Sequence, residues 1–272
     1  MDRTGAATEG FLKVSAAVGV RRSGCGGVPG QAPHPGPGPD PRRGVPVGGS
    51  HEQADDPGRG GEFEKVDFGK TSADYRARRG RFDIVDVPAR SYLMIDGHGD
   101  PNSASEFAEA IAALYPVAYA LKFHSKRELG RDYVVPPLEG LWWATDPDSF
   151  TTARDKSRWD WTLLLMIPDW LGAEDVEAAF GAVRAKRAVP GRIDDIRVAG
   201  LTEGRCVQTL HVGSFDDEAP VLEEMHQRFI PAHGLAMTGT HHEIYLSDFR
   251  RTAVQRLRTI LRQPVGPASD PS

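Results

Sequence analysis

One order of elements occurs twice in this chain, and it narrows the fold more than any other feature: a short strand, a glycine-containing turn, a Ser-capped or acidic helix start, then two strands. The first copy begins at Tyr92-Leu93-Met94-Ile95 and the second at Val207-Gln208-Thr209-Leu210. The copies agree in pattern, not in identity. Two βαββ units place their helices on one face of an antiparallel sheet, so the expected class is α+β, with a ligand cleft on the other face.

In the first unit, Arg81 to Val87 alternates and stops at Pro88, and Ser91 to Ile95 is a second strand before the turn Asp96 to Pro101. Ser103 or Ser105 is placed to cap a helix carrying Phe107, Ile111, Leu114 and Ala118 on one side, with a kink at Pro116. Tyr133 to Val135 and Leu138 to Ala144 are expected strands around the Pro136-Pro137 corner, and Asp160 to Ile167 is the most strand-like run in the chain. In the second unit, helices are expected over Ala173 to Ala188 and Asp216 to Ile230. Strands are expected over Arg192 to Val198, Arg205 to Val212, His242 to Leu246 and Leu257 to Leu261.

Composition separates this domain from what precedes it. Residues 1 to 60 hold 14 of the 30 glycines and 8 of the 21 prolines. Such a segment buries too little apolar surface to offset its ordering entropy, so residues 1–62 are expected to be a disordered tail. Pro33 to Pro41 could serve as a polyproline ligand, but a linker is the simpler reading. The domain is expected over 63–265, with residues 266–272 as a disordered C-terminus. Residues 1 to 62 carry 7 basic and 7 acidic side chains, so the whole net charge of −5 belongs to the rest of the chain. That balance does not favour a nucleic-acid partner, which needs a basic stripe. The longest apolar stretch, Trp161 to Ile167 broken by Thr162, falls far short of the ~20 residues that cross a bilayer. No clear leader is present at the start, and a cytoplasmic location is expected. Cys25 and Cys206 are expected to stay reduced, and two cysteines so placed do not build a metal site.

The aromatic residues are the informative class. Trp142 and Trp143 are adjacent on a strand, so they point to opposite faces, whereas Trp159 and Trp161 share one. Glu243 and Tyr245 also share a face, on a strand expected inside the sheet, where a carboxylate needs a partner or a task. A carboxylate and a phenol beside a tryptophan resemble an aromatic cage with an anionic floor, suited to cations and flat conjugated molecules. Each tryptophan taken alone is more simply a core residue, and Glu139 a solvated turn carboxylate. His241-His242-Glu243 lacks metal-ligand spacing, since neighbouring strand residues diverge and no HExxH exists. No GxGxxG, P-loop or GxSxG motif is found, and no cofactor is expected. Cys206 and His211 lie five residues apart on one strand and face opposite ways.

Four separated segments carry a family resemblance: Lys65-Val66-Asp67, the run Val134 to Trp143 (VVPPLEGLWW), the strand Trp159 to Pro168 (WDWTLLLMIP), and the closing His242 to Arg251 (HEIYLSDFRR). Together they resemble the stand-alone subfamily of GyrI-like small-molecule-binding proteins over about residues 64 to 265. The resemblance implies a duplicated βαββ (SHS2-type) domain with a ligand cleft between its halves. Members of the broader family include ligand-sensing domains of transcription regulators, in which a cleft carboxylate meets cationic aromatic drugs, and gyrase-inhibitor-like proteins. A further subfamily hydrolyses the cyclopropane of DNA-alkylating cyclopropanoids. Regulators carry a helix-turn-helix before this domain, which residues 1–62 cannot form. Glu243 and Tyr245 match the closing strand of the family, and Glu139 and Trp142 match its Trp-rich motif.

The expected catalytic residues are Glu243, Tyr133 and Tyr245, with Glu139, Trp142, Trp143 and Tyr119 binding the ligand. The expected partner is a hydrophobic or cationic small molecule, bound with or without hydrolysis. The competing reading is a protein-interaction module whose aromatic face docks a macromolecule.

Overall fold

The computed structural model describes residues 64–144 and 155–268; the Gly/Pro-rich segment lies outside them. Among the described residues nine strands form one antiparallel sheet: β1 (Asp83–Val87), β2 (Arg90–His98), β3 (Leu138–Trp143), β4 (Asp160–Ile167), β5 (Arg197–Leu201), β6 (Gly204–Val212), β7 (Leu235–Met237), β8 (His241–Tyr245) and β9 (Arg258–Pro267). Their order is β1-β6-β9-β8-β3-β4-β2-β5, with β7 pairing to β9. Helices α1 (Ser105–Glu128) and α2 (Ala173–Arg184) belong to the first half. In the second, α3 (Ala219–Glu223) runs through a π-helical turn (Glu224–Phe229) into α4 (Ile230–Ala232).

The duplication is real and can be read from the register. At the centre of the sheet β3 meets β8, with Gly140 opposite Glu243, Leu138 opposite Tyr245 and Trp142 opposite His241. A two-fold axis through the Gly140 and Glu243 pair therefore exchanges Trp142 with Tyr245 and Glu139 with His242. On either side the order continues symmetrically, β4 then β2 in one direction and β9 then β6 in the other. The outermost strands are exchanged: β1, which leads into β2, pairs with β6, and β5, which leads into β6, pairs with β2.

Both faces of the sheet are covered, which is why β4 is buried along almost its whole length. On the helix side, Leu93, Ile95, Leu163 and Leu165 pack beneath α1 residues such as Phe107, Ile111 and Leu114. Val207 and Leu261 pack there against Met225 and Ile230 of the second half. On the opposite side, Tyr92, Met94, Leu164, Ile244 and Ile260 form a second cluster with Tyr75. The segment before β1 supplies that lid: Arg76 and Arg78 carbonyls take hydrogen bonds from Gln208 and Thr209, and Asp74 clasps Arg90.

Several elements differ from their sequence patterns for identifiable reasons. Helix α1 starts at Ser105 behind Ala104, and neither Ser103 nor Ser105 caps it; the Ser103 and Ala104 amides instead bond the Asp100 carbonyl. The helix continues through Pro116 as one element. Tyr133 makes only an isolated bridge to Val66, because the two prolines that follow have no amide to extend a ladder. Arg192 to Asp195 is a turn, so β5 begins at Arg197. The expected helix from Asp216 begins instead at Ala219, after a 3-10 turn at Phe215–Asp217 and with Pro220 in its first turn, and runs on to Ala232 through the π turn. Strand β9 runs on to Pro267, where β7, a strand without a sequence signal, pairs with it. Among the described residues no helix is long and apolar enough to cross a membrane.

Candidate active site in the seam between repeats

The seam of β3 and β8 brings three of the expected residues together. Trp142, Glu243 and Tyr245 lie on one sheet face, and it is the helix side, where Trp142 and Tyr245 pack in the same cluster as Phe107 and Ile111 of α1. The aromatic residues were expected on the face away from the helices; that face is instead occupied at its centre by the Tyr75 lid. Trp142 Nε1 donates to Tyr245 Oη at 2.9 Å. The two rings meet over Gly140, where a Cβ would lie 2.8 Å from Trp142 Nε1 and 3.0 Å from Tyr245 Oη. Glycine is required here for clearance, so that large side chains from two strands can close over a third position.

Glu243 faces Gly140 across the seam, and its side chain keeps 14% exposure. Burial, then the charge and hydrogen bond of Glu243, push the Tyr245 phenol well above its ordinary range, so Tyr245 stays protonated as a donor. Rings enclose the group. Phe107 lies 6.0 Å from Trp142, Trp159 meets Trp142 edge-on at 5.8 Å, and Phe215 and Phe249 stand edge-on to Tyr245 at 5.7 and 6.4 Å. Beyond Glu243, His241 Nε2 stands 3.7 Å from its carboxylate, and His226 of the π turn faces the His241 ring. Burial, followed by the neighbouring His241, lowers His226 to about 4, leaving it neutral. The π turn is what brings His226 over the strand while Met225 stays in the core.

Other expected site residues are elsewhere. Trp143 projects to the other face of the sheet and is 39% exposed. Tyr133 is buried beneath Trp170 and Lys122, with its phenol raised by burial and then by Asp132, and touches neither Glu243 nor Trp142 by ring contact or hydrogen bond. Tyr119 is 47% exposed on α1, stacked between Tyr115 and Phe123.

Glu139 is neither a solvated turn residue nor a cleft residue. It is fully buried on the lid side. Tyr75 donates to its Oε1 at 2.5 Å, and His242 Nε2 stands 2.9 Å from its Oε2 as an ion pair. His242 Nδ1 reaches Glu203 at 3.0 Å, and Arg262 bridges Glu203, Gln208 and the Asp74 carbonyl. Burial alone would lower His242, but Glu203 and Glu139 carry it up to about 9. Burial alone would raise Glu203, but His242 and Arg262 hold it down at about 2. This network locks the reverse side of the strand that carries Glu243. Sequence reasoning missed Glu203 and Arg262, which are far from Glu139 in the chain and adjoin it only through the sheet. Among the described residues no group of three or more His, Cys, Asp or Glu side chains could hold a metal ion.

A duplicated antiparallel domain with an aromatic, carboxylate-bearing seam defines a small-molecule-binding class. The chain belongs to the family of the GyrI-like small molecule binding domain, whose model matches residues 81–265. A comparison with curated proteins finds no match. Among solved structures it is similar to an uncharacterized conserved protein from Listeria innocua, with 38% identity and a TM-score of 0.67 over 74% of this chain and 100% of that one. It is also similar to a hydrolase encoded by lin2189 from the same organism, with 36% identity and a TM-score of 0.66 over 75% of this chain and 100% of that one. A third structure, of a Listeria innocua hydrolase, gives 35% identity and a TM-score of 0.63 over 74% of this chain and 100% of that one.

Proposed function

We propose that this protein binds flat aromatic molecules, neutral or cationic, in the seam, and hydrolyses the cyclopropane of cyclopropanoid alkylating agents as a detoxifying step. The observation that carries the proposal is the juxtaposition of the Glu243 carboxylate with the Trp142 and Tyr245 pair inside a shell of rings. The hydrolase names of two relatives support the same reading.

The chemistry needs one water and no redox partner. Glu243 takes a proton from water as its oxygen attacks the cyclopropane methylene. The strained C–C bond breaks and its electron pair enters the dienone, whose carbonyl oxygen takes the Tyr245 proton and becomes a phenol. Glu243 returns its proton to Tyr245 through their hydrogen bond. Trp142 holds the Tyr245 oxygen in place, and the aromatic shell excludes bulk water, which strengthens each of these contacts. General-base assistance of this kind contributes ~10²–10⁴-fold, useful for a ring that is already strained.

Trp142, Trp161 and Tyr245 are buried, which favours a small ligand over a macromolecule docking on these rings. The test is to incubate the full chain with a spirocyclopropyl dienone and follow products by mass spectrometry. A ring-opened water adduct is expected with the native protein and none with Glu243→Gln, which should still bind a neutral flat aromatic dye. No adduct at high protein load ends the hydrolytic claim. Failure of both dye and dienone to bind ends the small-molecule claim.

A further inference from the structure

A separate groove opens at the end of the seam where β3 begins and β8 ends, with a cavity volume of about 710 Å³. That is within the range of small-molecule sites, ~300–1,000 Å³. Glu243, Trp142 and Trp159 do not line it; Tyr245 is the wall it shares with the seam. One side is the α1 ladder of Tyr115 and Tyr119, stacked at 6.2 Å. The other is Val134 to Leu138, stiffened by Pro136 and Pro137.

The charge of this groove is opposite to that of the protein. Its lining includes four cations, Lys70, Arg76, Arg250 and Arg258, against two carboxylates, Asp67 and Asp248, in a chain of net charge −5. Lys70 is paired with Asp67, and Arg250 is held by Asp248 at 2.9 Å with its guanidinium 5.5 Å from the Tyr115 ring. Arg76 and Arg258 are exposed and have no ion pair among the described residues. An aromatic slot beside two uncommitted guanidinium groups is matched by a planar ring that bears an anion, since each guanidinium can hold an oxyanion in two parallel hydrogen bonds.

We propose that this groove is a second ligand site, distinct from the Glu243 seam, and that it takes flat aromatic molecules carrying a carboxylate, sulfonate or phosphate. The ring lies between Tyr115, Tyr119 and the proline wall, and the anion meets Arg76 and Arg258. Because Tyr245 borders both sites, an occupant here sits next to the reacting group without touching Glu243.

The experiment titrates the full chain with anilinonaphthalene sulfonate, an aromatic sulfonate, and in parallel with a cationic rhodamine that reports on the seam. Arg76→Glu with Arg258→Glu, both exposed changes that leave the core untouched, should weaken sulfonate binding roughly tenfold or more and leave rhodamine binding within about twofold. Tyr119→Ala should weaken the sulfonate while the cation is unaffected, and Glu243→Gln should do the reverse. Rising salt should loosen the sulfonate in the native protein and much less in the double variant. The proposal is overturned if the native protein fails to bind the sulfonate, if the charge reversals leave its affinity unchanged, or if Glu243→Gln displaces it as strongly as they do. None of these outcomes depends on hydrolysis, so the seam and the groove stand or fall separately.

Discussion

Trp142 donates its indole N–H to the phenol oxygen of Tyr245 at 2.9 Å, and these two residues are equivalents of one another under the two-fold relation of the repeats. The same position in each half has thus become half of one hydrogen bond. Trp142→Phe keeps an aromatic ring but removes the donor. Loss of the bond should cost ~1 kcal/mol of stability. The proposed hydrolysis should fall about tenfold or more, because the Tyr245 oxygen is no longer held. Denaturant unfolding and product formation by mass spectrometry measure the two effects independently.

Gly140 and Gly97 clear space for large rings, and they rank in severity. A Cβ on Gly97 would lie 2.0 Å from the Trp161 ring, against 2.8 Å from Trp142 Nε1 for Gly140. Trp161 is fully buried and cannot swing away. Gly97→Ala should therefore destabilise by ~3 kcal/mol or more and Gly140→Ala by ~1–3 kcal/mol. Gly140→Ala should in addition abolish rhodamine quenching, since it parts Trp142 from Tyr245. Equal unfolding midpoints for the two variants would contradict this ranking.

The lid-side network imposes a pH dependence with a defined sign. His242 is raised from 6.5 to about 9, so its stabilising contribution is complete below pH ~6.5 and is lost as pH rises toward ~9. Glu203 is lowered from 4.5 to about 2, so its contribution is complete above pH ~4.5 and is lost as pH falls toward ~2. Stability should form a plateau between about pH 5 and 6.5 and decline on either side, each limb being on the order of a few kcal/mol. His242→Gln should remove the alkaline limb and lower the plateau, because Glu139 then remains buried without its cationic partner and Glu203 keeps only Arg262. Urea midpoints across the pH range test both signs.

Because the Gly/Pro-rich composition of residues 1–62 predicts little buried apolar surface, their removal should leave the thermal midpoint within about 1 °C and rhodamine binding unaltered. The lid begins after that segment, with Val66 paired to Tyr133 and Tyr75 bonded to Glu139. Extending the deletion through Tyr75 should be severe, because it strips the cover from Glu139 and His242. Calorimetry on the two truncations checks the contrast.

How much of this was legible in the sequence follows from the range of each interaction. Alternation is local, so Asp160 to Ile167 stands out as a strand, Trp142 and Trp143 diverge, and Glu243 shares a face with Tyr245. Which face is covered depends on a segment far away in the chain. Nothing around Glu139 announces that Tyr75 closes over it, or that Glu203 and Arg262 complete its network. Tyr133 suggested a catalytic phenol by type, but its place beneath Trp170 is set by a turn and a lysine on α1. The short strand β7 and the π turn at His226 lack any periodic signature, because they exist through pairing with β9 and packing on the second half of the sheet.

The exchange of β1 and β5 between the halves has a kinetic meaning. Neither repeat can complete its own sheet until the other is present, since each outer strand pairs with a partner from the opposite end of the domain. Folding must therefore wait for contacts of long sequence separation, a slow route for an antiparallel protein. It should then proceed as one cooperative event rather than half by half. For the same reason the two halves, although alike in plan, are not separable modules: cut between β4 and β5, each fragment would keep an unpaired edge that belongs to the other, and the native fold would return only when the two are mixed.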